Sequence, residues 1–291
     1  MTVPVPALYA SSNAAAVRVD AARPSRLPRD PPPVGADGRP ATRWTDPRTA
    51  AAYALREGSY DRAVAWPALV TAVAPSESRR VSGRPDGEVL DLGCGLAGIG
   101  HLLANEHWLR VHAVDISPSM HRLGAARHRD AWLVRSIPDR GGRLQLRRGQ
   151  CTSAIIQLLL THLSHRCLIV GALSEARRVL RPGSTLAAIE PGPGTFGHVA
   201  GEVQWGESDS VIPDEGSPYV ARYLLGDGTD LPATAWHYSP DTLAGCLRAA
   251  GFRLDEIRPL HAPGEYGSAP LWLYRATAVT PIPLSLCDSV I

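Results

Sequence analysis

Apolar positions along this chain follow two periods, and the points where the period changes mark its elements. Ala50, Tyr53 and Ala54, then Tyr60, Ala63, Trp66, Leu69 and Val70, keep helical spacing through two short helices broken near Gly58. Trp44-Thr-Asp-Pro47 supplies the start, with Thr45 or Asp46 as cap and Pro47 at the first helical position. Val89, Leu90 and Leu92, and then Arg110-Val-His-Ala-Val114, are short apolar runs of the kind found in strands buried on both faces of a parallel sheet. A helix begins at Ile99, and another is capped by Ser117 with Pro118 in its first turn and Met120, Leu123 and Ala126 facing inward. Arg143-Leu-Gln-Leu-Arg147 alternates and reads as the third strand, Ile155–Leu160 as the fourth and Thr185–Glu190 as the fifth. The helix Leu168–Leu180 lies between the last two, with Arg177, Arg178 and Arg181 against its negative end and Arg181-Pro-Gly-Ser184 as its stop.

Downstream the pattern changes. Residues 191–237 form a long connection in which Tyr219–Leu224 and Ala233–His237 flank Gly226-Asp-Gly228, a hairpin arrangement. A helix capped at Ser239 and ended by Gly251 follows, and Phe252–Ile257 and Leu271–Arg275 make a closing pair of strands. Strands alternating with helices predict an α/β fold with a doubly wound sheet. Residues 1–42, rich in Pro, Ala and Arg, show no sustained period and read as a disordered extension. An Arg-rich, acid-poor start also fits an organelle transit peptide. Residues 43–276 read as one domain and 277–291 as a loose tail.

Composition narrows the chemistry. The chain has 291 residues, 44% of them hydrophobic, enough for one α/β domain with extensions. A net charge of +2 gives no electrostatic argument for nucleic acid or membrane partners. Every basic residue is Arg, so Schiff-base chemistry and a phosphate-loop lysine are excluded. Five scattered cysteines without a Cys-x-x-Cys pair read as reduced thiols of a cytoplasmic protein. His162 and His165 have no nearby acid or thiol to complete a metal set, so no metal site is expected.

The chemistry concentrates in Glu88-Val-Leu-Asp-Leu-Gly-Cys-Gly-Leu-Ala-Gly-Ile-Gly100. A strand, a glycine turn and a helix start together let backbone approach a ligand closely. Gly93-x-Gly95-x-x-Gly98 fits a dinucleotide fingerprint, which alone is weak. Asp91 stands at the strand end, where a carboxylate can pin the glycine loop or meet a cationic group. Asp115 ends the second strand 24 residues later, where an acid can accept both hydroxyls of a ribose.

With Asp91-Leu-Gly-Cys-Gly and Val114-Asp-Ile-Ser-Pro-Ser-Met120 in hand, the chain resembles the class I S-adenosylmethionine-dependent methyltransferases of small molecules. Glu175-Ala-Arg-Arg-Val-Leu-Arg-Pro-Gly-Ser-Thr-Leu186 matches that family's crossover into the fifth strand. The resemblance implies a Rossmann-like, mostly parallel sheet with a C-terminal antiparallel hairpin, a helical N-terminal segment and an inserted acceptor-binding cap at about 191–237. It implies S-adenosyl-L-methionine as cofactor, held by Asp91, Gly93, Cys94, Gly95, Gly98, Asp115, Ile116, Met120 and Thr161. Ile116 would lie against the adenine, and Tyr53 and Tyr60 belong to the segment that closes over the cofactor. Two departures stand out. Gln150 occupies the place expected for the acid that binds the adenine amine, where its carbonyl can still accept from that amine as a cofactor contact, and Gln157 occupies the acid position of a fourth strand that arrives after a shortened loop.

Three functions compete on these residues. The first is methyl transfer to a small acceptor through oxygen, nitrogen or carbon. The second is a fold of this kind that binds but has lost turnover, motivated by Gln150, Gln157 and the short loop. The third is a nicotinamide oxidoreductase, which the glycine spacing permits and the closing hairpin opposes. His162, just after the fourth strand, is the first candidate for a general base, His237 at the end of the cap hairpin is its rival, and Glu190 is a candidate for orienting the acceptor.

Overall fold

The computed structural model of the chain describes residues 42–56, 58–74, 87–129, 132–139, 141–197, 199–206, 212–262 and 270–279. The extension before Thr42 and the tail beyond Val279 lie outside the described residues. Helix α1 (Pro47–Tyr53) is capped by Asp46, whose side chain accepts from Arg48 N at 2.8 Å. A single π-helical turn, Asp61–Ala65, runs into α2 (Trp66–Val73). Then follow β1 (Glu88–Leu92), α3 (Gly98–Glu106), β2 (Arg110–Val114), α4 (Pro118–Arg127) and β3 (Leu133–Ser136). The second half of the sheet comprises β4 (Cys151–Gln157), α5 (Arg166–Val179) and β5 (Leu180–Pro191). An insertion carries β6 (Val199–Ala200), β7 (Val203–Trp205), β8 (Pro218–Leu224) and β9 (Asp230–Trp236). Helix α6 (Pro240–Ala249), β10 (Phe252–Leu260) and β11 (Leu271–Ala278) close the domain.

Seven strands form the main sheet in the order β10-β11-β5-β4-β1-β2-β3. The five central and right-hand strands are parallel, and β11 runs antiparallel to both β5 and β10. The fold is therefore the Rossmann-like, doubly wound arrangement with a closing antiparallel pair. Period-2 alternation divides β1 between two cores. Val89 joins Leu69, Leu103, Val111 and Ile155 on one face, and Leu90 and Leu92 join Ile156, Ile169, Leu173 and Leu247 on the other. The strand order reverses between β1 and β4, so the ligand crevice of such a sheet opens at their C-terminal ends. The insertion, called the cap below, forms a separate antiparallel sheet, β6-β7-β8-β9.

The fourth strand, expected over Ile155–Leu160, runs from Cys151 to Gln157, and Arg181–Ser184, expected as the stop of the preceding helix, belong to β5. Three further details differ from the sequence reading. The last strand runs to Ala278, whose side chain is buried, so the tail starts later than residue 277. At the other end Thr42, counted with the extension, is tied to the domain: its hydroxyl accepts from Thr234 N at 2.6 Å. The third difference matters most. The third strand is Leu133–Ser136, paired with β2, and residues 143–147 are not a strand. Their alternation is real, with Leu144 buried and Arg143, Gln145 and Arg147 exposed, but the partner is helix α5. Glu175 Oε2 accepts from Leu144 N at 3.1 Å, and the Arg178 guanidinium donates to Leu144 O at 3.0 Å and Leu146 O at 2.8 Å. Side chains here do the work of a neighbouring strand, a pairing that the local pattern cannot distinguish from a ladder. The connection to β4 is thus the long segment 137–150, and it is not shortened.

Candidate active site

The cofactor half of the crevice grows from the end of β1. Gly93 N and Cys94 N both donate to Val114 O, at 2.8 and 3.0 Å, which ties the loop to the end of β2. Gly95 adopts φ +52°, a left-handed conformation that a side chain strains, and among the described residues only Tyr53 Cε1 lies within 4 Å of where a Cβ would stand. Among the described residues, the space at Gly95 is therefore open except for that ring, while Gly93 and Gly98 are covered by Leu159 and Trp66. Gly98 is the first residue of α3 and packs under Trp66, whose ring would meet a Cβ at 2.9 Å. Cys94 keeps its thiol raised well above the usual range by burial, with Asp91 and Asp115 adding to the effect.

Asp115 sits at the mouth of the loop. Its Oδ2 accepts from Gly95 N at 2.9 Å and its Oδ1 from Ser117 N at 2.8 Å. Each oxygen keeps a further lone pair, so the carboxylate can still receive a pair of hydroxyls. Burial raises its pKa, and the two backbone bonds oppose that rise. Ile116 beside it is 56% exposed, an open apolar face at the strand end. Met120 is buried and its amide is spent on Ser117 Oγ at 3.3 Å, which places it in the helix cap and the core. His121, not singled out by the sequence reading, joins the ends of β2 and β3 through Nε2, 3.2 Å from Asp115 O and 2.9 Å from Ser136 O.

Asp91 lies under the loop, 2% exposed, and its Oδ2 has no hydrogen-bond partner among the described residues. Desolvation, reinforced by Asp115 and opposed by Arg135, pushes its pKa up to about 7. It does not pin the glycine loop, whose amides bond to Val114 O and Asp115. Arg135 is a second feature the sequence reading missed: from β3 its Nη1 reaches Leu96 O at 3.5 Å, through a passage that Gly124 leaves open by lacking a side chain.

Gln150 is a correction. It stands immediately before β4, at the N-terminal end of the sheet, where its Nε2 donates to Glu88 Oε2 at 2.8 Å and its Oε1 accepts from Arg147 N at 3.0 Å. Because the third strand is Leu133–Ser136, the position that follows it is Ser136-Ile137, and Gln150 is remote from the crevice. Gln157 is the last residue of β4. Tyr53 borders the Cβ position of Gly95, whereas the Tyr60 ring packs on Gly201 of the cap.

The other half of the crevice is built where β4 and β5 end and the cap begins. Trp44, Tyr53, His162 and Tyr223 pack edge to face, with Trp44 5.0 Å from His162 and Tyr53 5.5 Å from Tyr223 between ring centroids. Arg56 covers the Tyr53 and Tyr223 rings and pairs with Asp61 at 2.8 Å. His162 has both nitrogens engaged. Nδ1 bonds to Thr234 O at 3.0 Å, so it carries the proton, and Nε2 accepts from the Tyr223 hydroxyl at 2.9 Å. Burial lowers its pKa to about 4. An imidazole held this way docks the cap and has no lone pair left for a substrate proton, so the general-base assignment does not fit.

Glu190 is equally committed. Its Oε1 accepts from Leu159 N at 3.1 Å and Leu160 N at 2.8 Å, and its Oε2 from Thr161 N at 3.1 Å. It is 1% exposed, and burial raises its pKa to about 7 against the pull of those amides. Thr161 faces the cap and not the glycine loop, through Trp236 O at 3.2 Å and the Tyr219 hydroxyl at 3.1 Å. These groups border a narrow cavity lined by Glu190, Phe196, Tyr219, Trp236, His237 and Leu243 among others. Phe196 meets His237 edge to face at 5.1 Å. Burial lowers the His237 pKa and Glu215 opposes that fall, so His237 is the histidine that enters this cavity largely neutral.

Residues 90–188 match the family described as the methyltransferase domain. Over 180 residues the chain is 29% identical to N-demethylindolmycin N-methyltransferase of Streptomyces griseus, an alignment that covers 60% of this chain and 72% of the relative. Among solved structures it is similar to the CcbJ methyltransferase of Streptomyces caelestis, with a TM-score of 0.52 and 21% identity over 74% of this chain and 89% of that one. A methyltransferase from Methanosarcina mazei aligns with a TM-score of 0.50 and 22% identity over 67% of this chain and 94% of that one. These two likenesses speak to the fold. Among the described residues no helix is long and apolar enough to cross a membrane.

Proposed function

We propose that this chain, which carries a class I S-adenosylmethionine-dependent methyltransferase domain, transfers the cofactor's methyl group to a nitrogen of a small organic acceptor. The observation that carries the reading is the Gly95–Asp115 cradle at the ends of β1 and β2, beside the cap that docks on the end of β4. The cradle fits the cofactor: Gly95 leaves open space, Asp115 retains acceptor capacity for a ribose, and Asp91 offers a buried, unpartnered carboxylate oxygen under the loop. Nitrogen as the nucleophile is supported by the name of the Streptomyces griseus relative. Phe196, Tyr219 and Trp236 offer an aromatic surface to an acceptor, and the cavity they enclose holds about 10 Å³ in this structure, room for one water.

When bound, S-adenosylmethionine supplies an activated methyl on a sulfonium, whose departure is already favourable. What remains for the protein is alignment and exclusion of water. Asp115 and Ile116 fix one end of the crevice, while the Trp44–Tyr53–Tyr223–His162 packing closes the other with apolar edges. Positioning of this kind can supply roughly 7–11 kcal/mol of a barrier. If the amine must lose a proton, the imidazole of His237 is the neutral base that borders the cavity, an effect of about 10²–10⁴-fold. The test is a screen of amine, hydroxyl and carbon acceptors with methyl-labelled cofactor, followed by His237→Ala on any acceptor that turns over. An N-methyl product supports the reading. Labelled product only on oxygen or carbon, or none with a cofactor that binds, contradicts it, and the latter favours a binding protein that has lost turnover.

A further inference from the structure

The segment 159–163 after β4 touches both halves of the crevice. On one side Leu159 packs on the glycine loop, where its Cβ lies 3.0 Å from the place a Gly93 side chain would begin. On the other, Thr161 Oγ1 and His162 Nδ1 donate to Trp236 O and Thr234 O. Those carbonyls are two residues apart on β9, which is an edge strand of the cap sheet, so they belong to the row that an edge leaves unpaired. The Tyr238 hydroxyl donates to Leu163 O at 2.8 Å and extends the same seam. One side chain holds the segment from below: the Glu190 carboxylate, which collects three successive amides.

We propose that Glu190 is a positioning residue that couples the two halves, fixing residues 159–161 in the conformation that packs Leu159 on the glycine loop and docks β9 of the cap. This deepens the reading above and rests on it only in giving the loop to the cofactor and the cap to the acceptor. A carboxylate is needed because all three partners are donors. A carboxamide, or a protonated acid, turns one acceptor oxygen into a fourth donor aimed at N–H groups. The titratable groups that face Glu190 are Tyr219 from β8, Tyr274 from β11 and, across the cavity, His237 after β9. Burial keeps both tyrosines protonated and lowers the imidazole, so acidification through about pH 7 protonates Glu190 before it.

The experiment is hydrogen exchange on the full chain at pH 6.0 and 8.5, corrected for intrinsic rates, with S-adenosylhomocysteine affinity measured in parallel by calorimetry. In the wild type, amides of 159–161 and of β9 should be about tenfold better protected at pH 8.5 than at pH 6.0. Glu190→Gln should show the low protection at both pH values and bind S-adenosylhomocysteine 3- to 10-fold more weakly. Thr161→Val, which removes the bonds to Trp236 O and to the Tyr219 hydroxyl and leaves those to Glu190 in place, should loosen β9 while 159–160 keep their protection and its pH dependence. If Glu190→Gln does not fold, the wild-type pH comparison and Thr161→Val still decide the matter. Protection of β9 that ignores both pH and the two substitutions would overturn the coupling. A wild-type chain that fails to bind S-adenosylhomocysteine would sink the functional reading, while the exchange result would still judge Glu190.

Discussion

The two halves of the crevice each bury an acid at a strand end, and they use it in opposite ways. Asp91 ends β1 with an oxygen that no described group satisfies, whereas Glu190 ends β5 with its carboxylate filled by three amides. Desolvation raises both to about 7, so the difference lies in what each has been left to do. An unsatisfied buried carboxylate costs the fold stability and suits a site that a ligand completes. A satisfied one holds backbone in place. The cofactor half is thus prepared for a partner, while the cap half is held together by its own hydrogen bonds. The span of those bonds follows the same division: Gly95 meets Asp115 across 20 residues, but Thr161 meets Trp236 across 75.

The sharpest way to break the comparison is Gly95→Val. The substitution forces a β-branched residue to φ +52° and fills the open space beneath Tyr53, so S-adenosylhomocysteine binding should fall below detection by calorimetry. Next comes Asp91→Asn. Asp91 holds its proton in the fold up to about pH 7 but only to about 4 when unfolded, so its contribution to stability is full below about 4 and lost as pH rises through 7. The variant should remove that loss, melting higher than wild type at pH 8 by on the order of 2–4 kcal/mol, yet bind the cofactor more weakly. Equal melting at pH 8 would show that Asp91 is not desolvated. His162→Gln should cost about 1–2 kcal/mol in urea unfolding at pH 7.5, the scale of a lost buried hydrogen bond. Its pKa is depressed from 6.5 to about 4, so that contribution is full above 6.5 and disappears as pH falls toward 4. The smallest expected effect is Gln150→Ala, which should leave cofactor affinity within twofold. A tenfold loss would return Gln150 to the adenine site.

Legibility in the sequence followed the same line between local and distant. The caps Asp46, Ser117 and Ser239 stand where the pattern placed them, because an N-cap is written within four residues. So do β1, β2, the hairpin β8–β9 and the closing pair, the last despite a register shift between Leu254 and Glu256. The loop Gly93–Gly98 with Asp115 was readable because strand, turn and helix follow one another without a gap. Residues 143–147 misled because alternation reports a half-buried extended segment and says nothing of whether a strand or a helix's side chains lie opposite. That one displacement carried Gln150 into the wrong end of the sheet and made the β3–β4 connection seem short. His162 and Glu190 were found by position at the strand ends, but their roles were not. Both are fixed by amides and carbonyls of segments far away in the chain, and backbone partners leave no side-chain signature. Arg135 and Gly124 give no local signal at all.

Calorimetric titration of S-adenosylhomocysteine into the full chain, wild type and Asp115→Ala, with NAD as the control ligand, tests the central claim most directly. The account predicts binding of S-adenosylhomocysteine by the wild type, none of NAD, and a loss of about 1–3 kcal/mol in the variant as the ribose loses its carboxylate partner. Binding of NAD in place of S-adenosylhomocysteine, or an Asp115→Ala affinity equal to wild type, would contradict it.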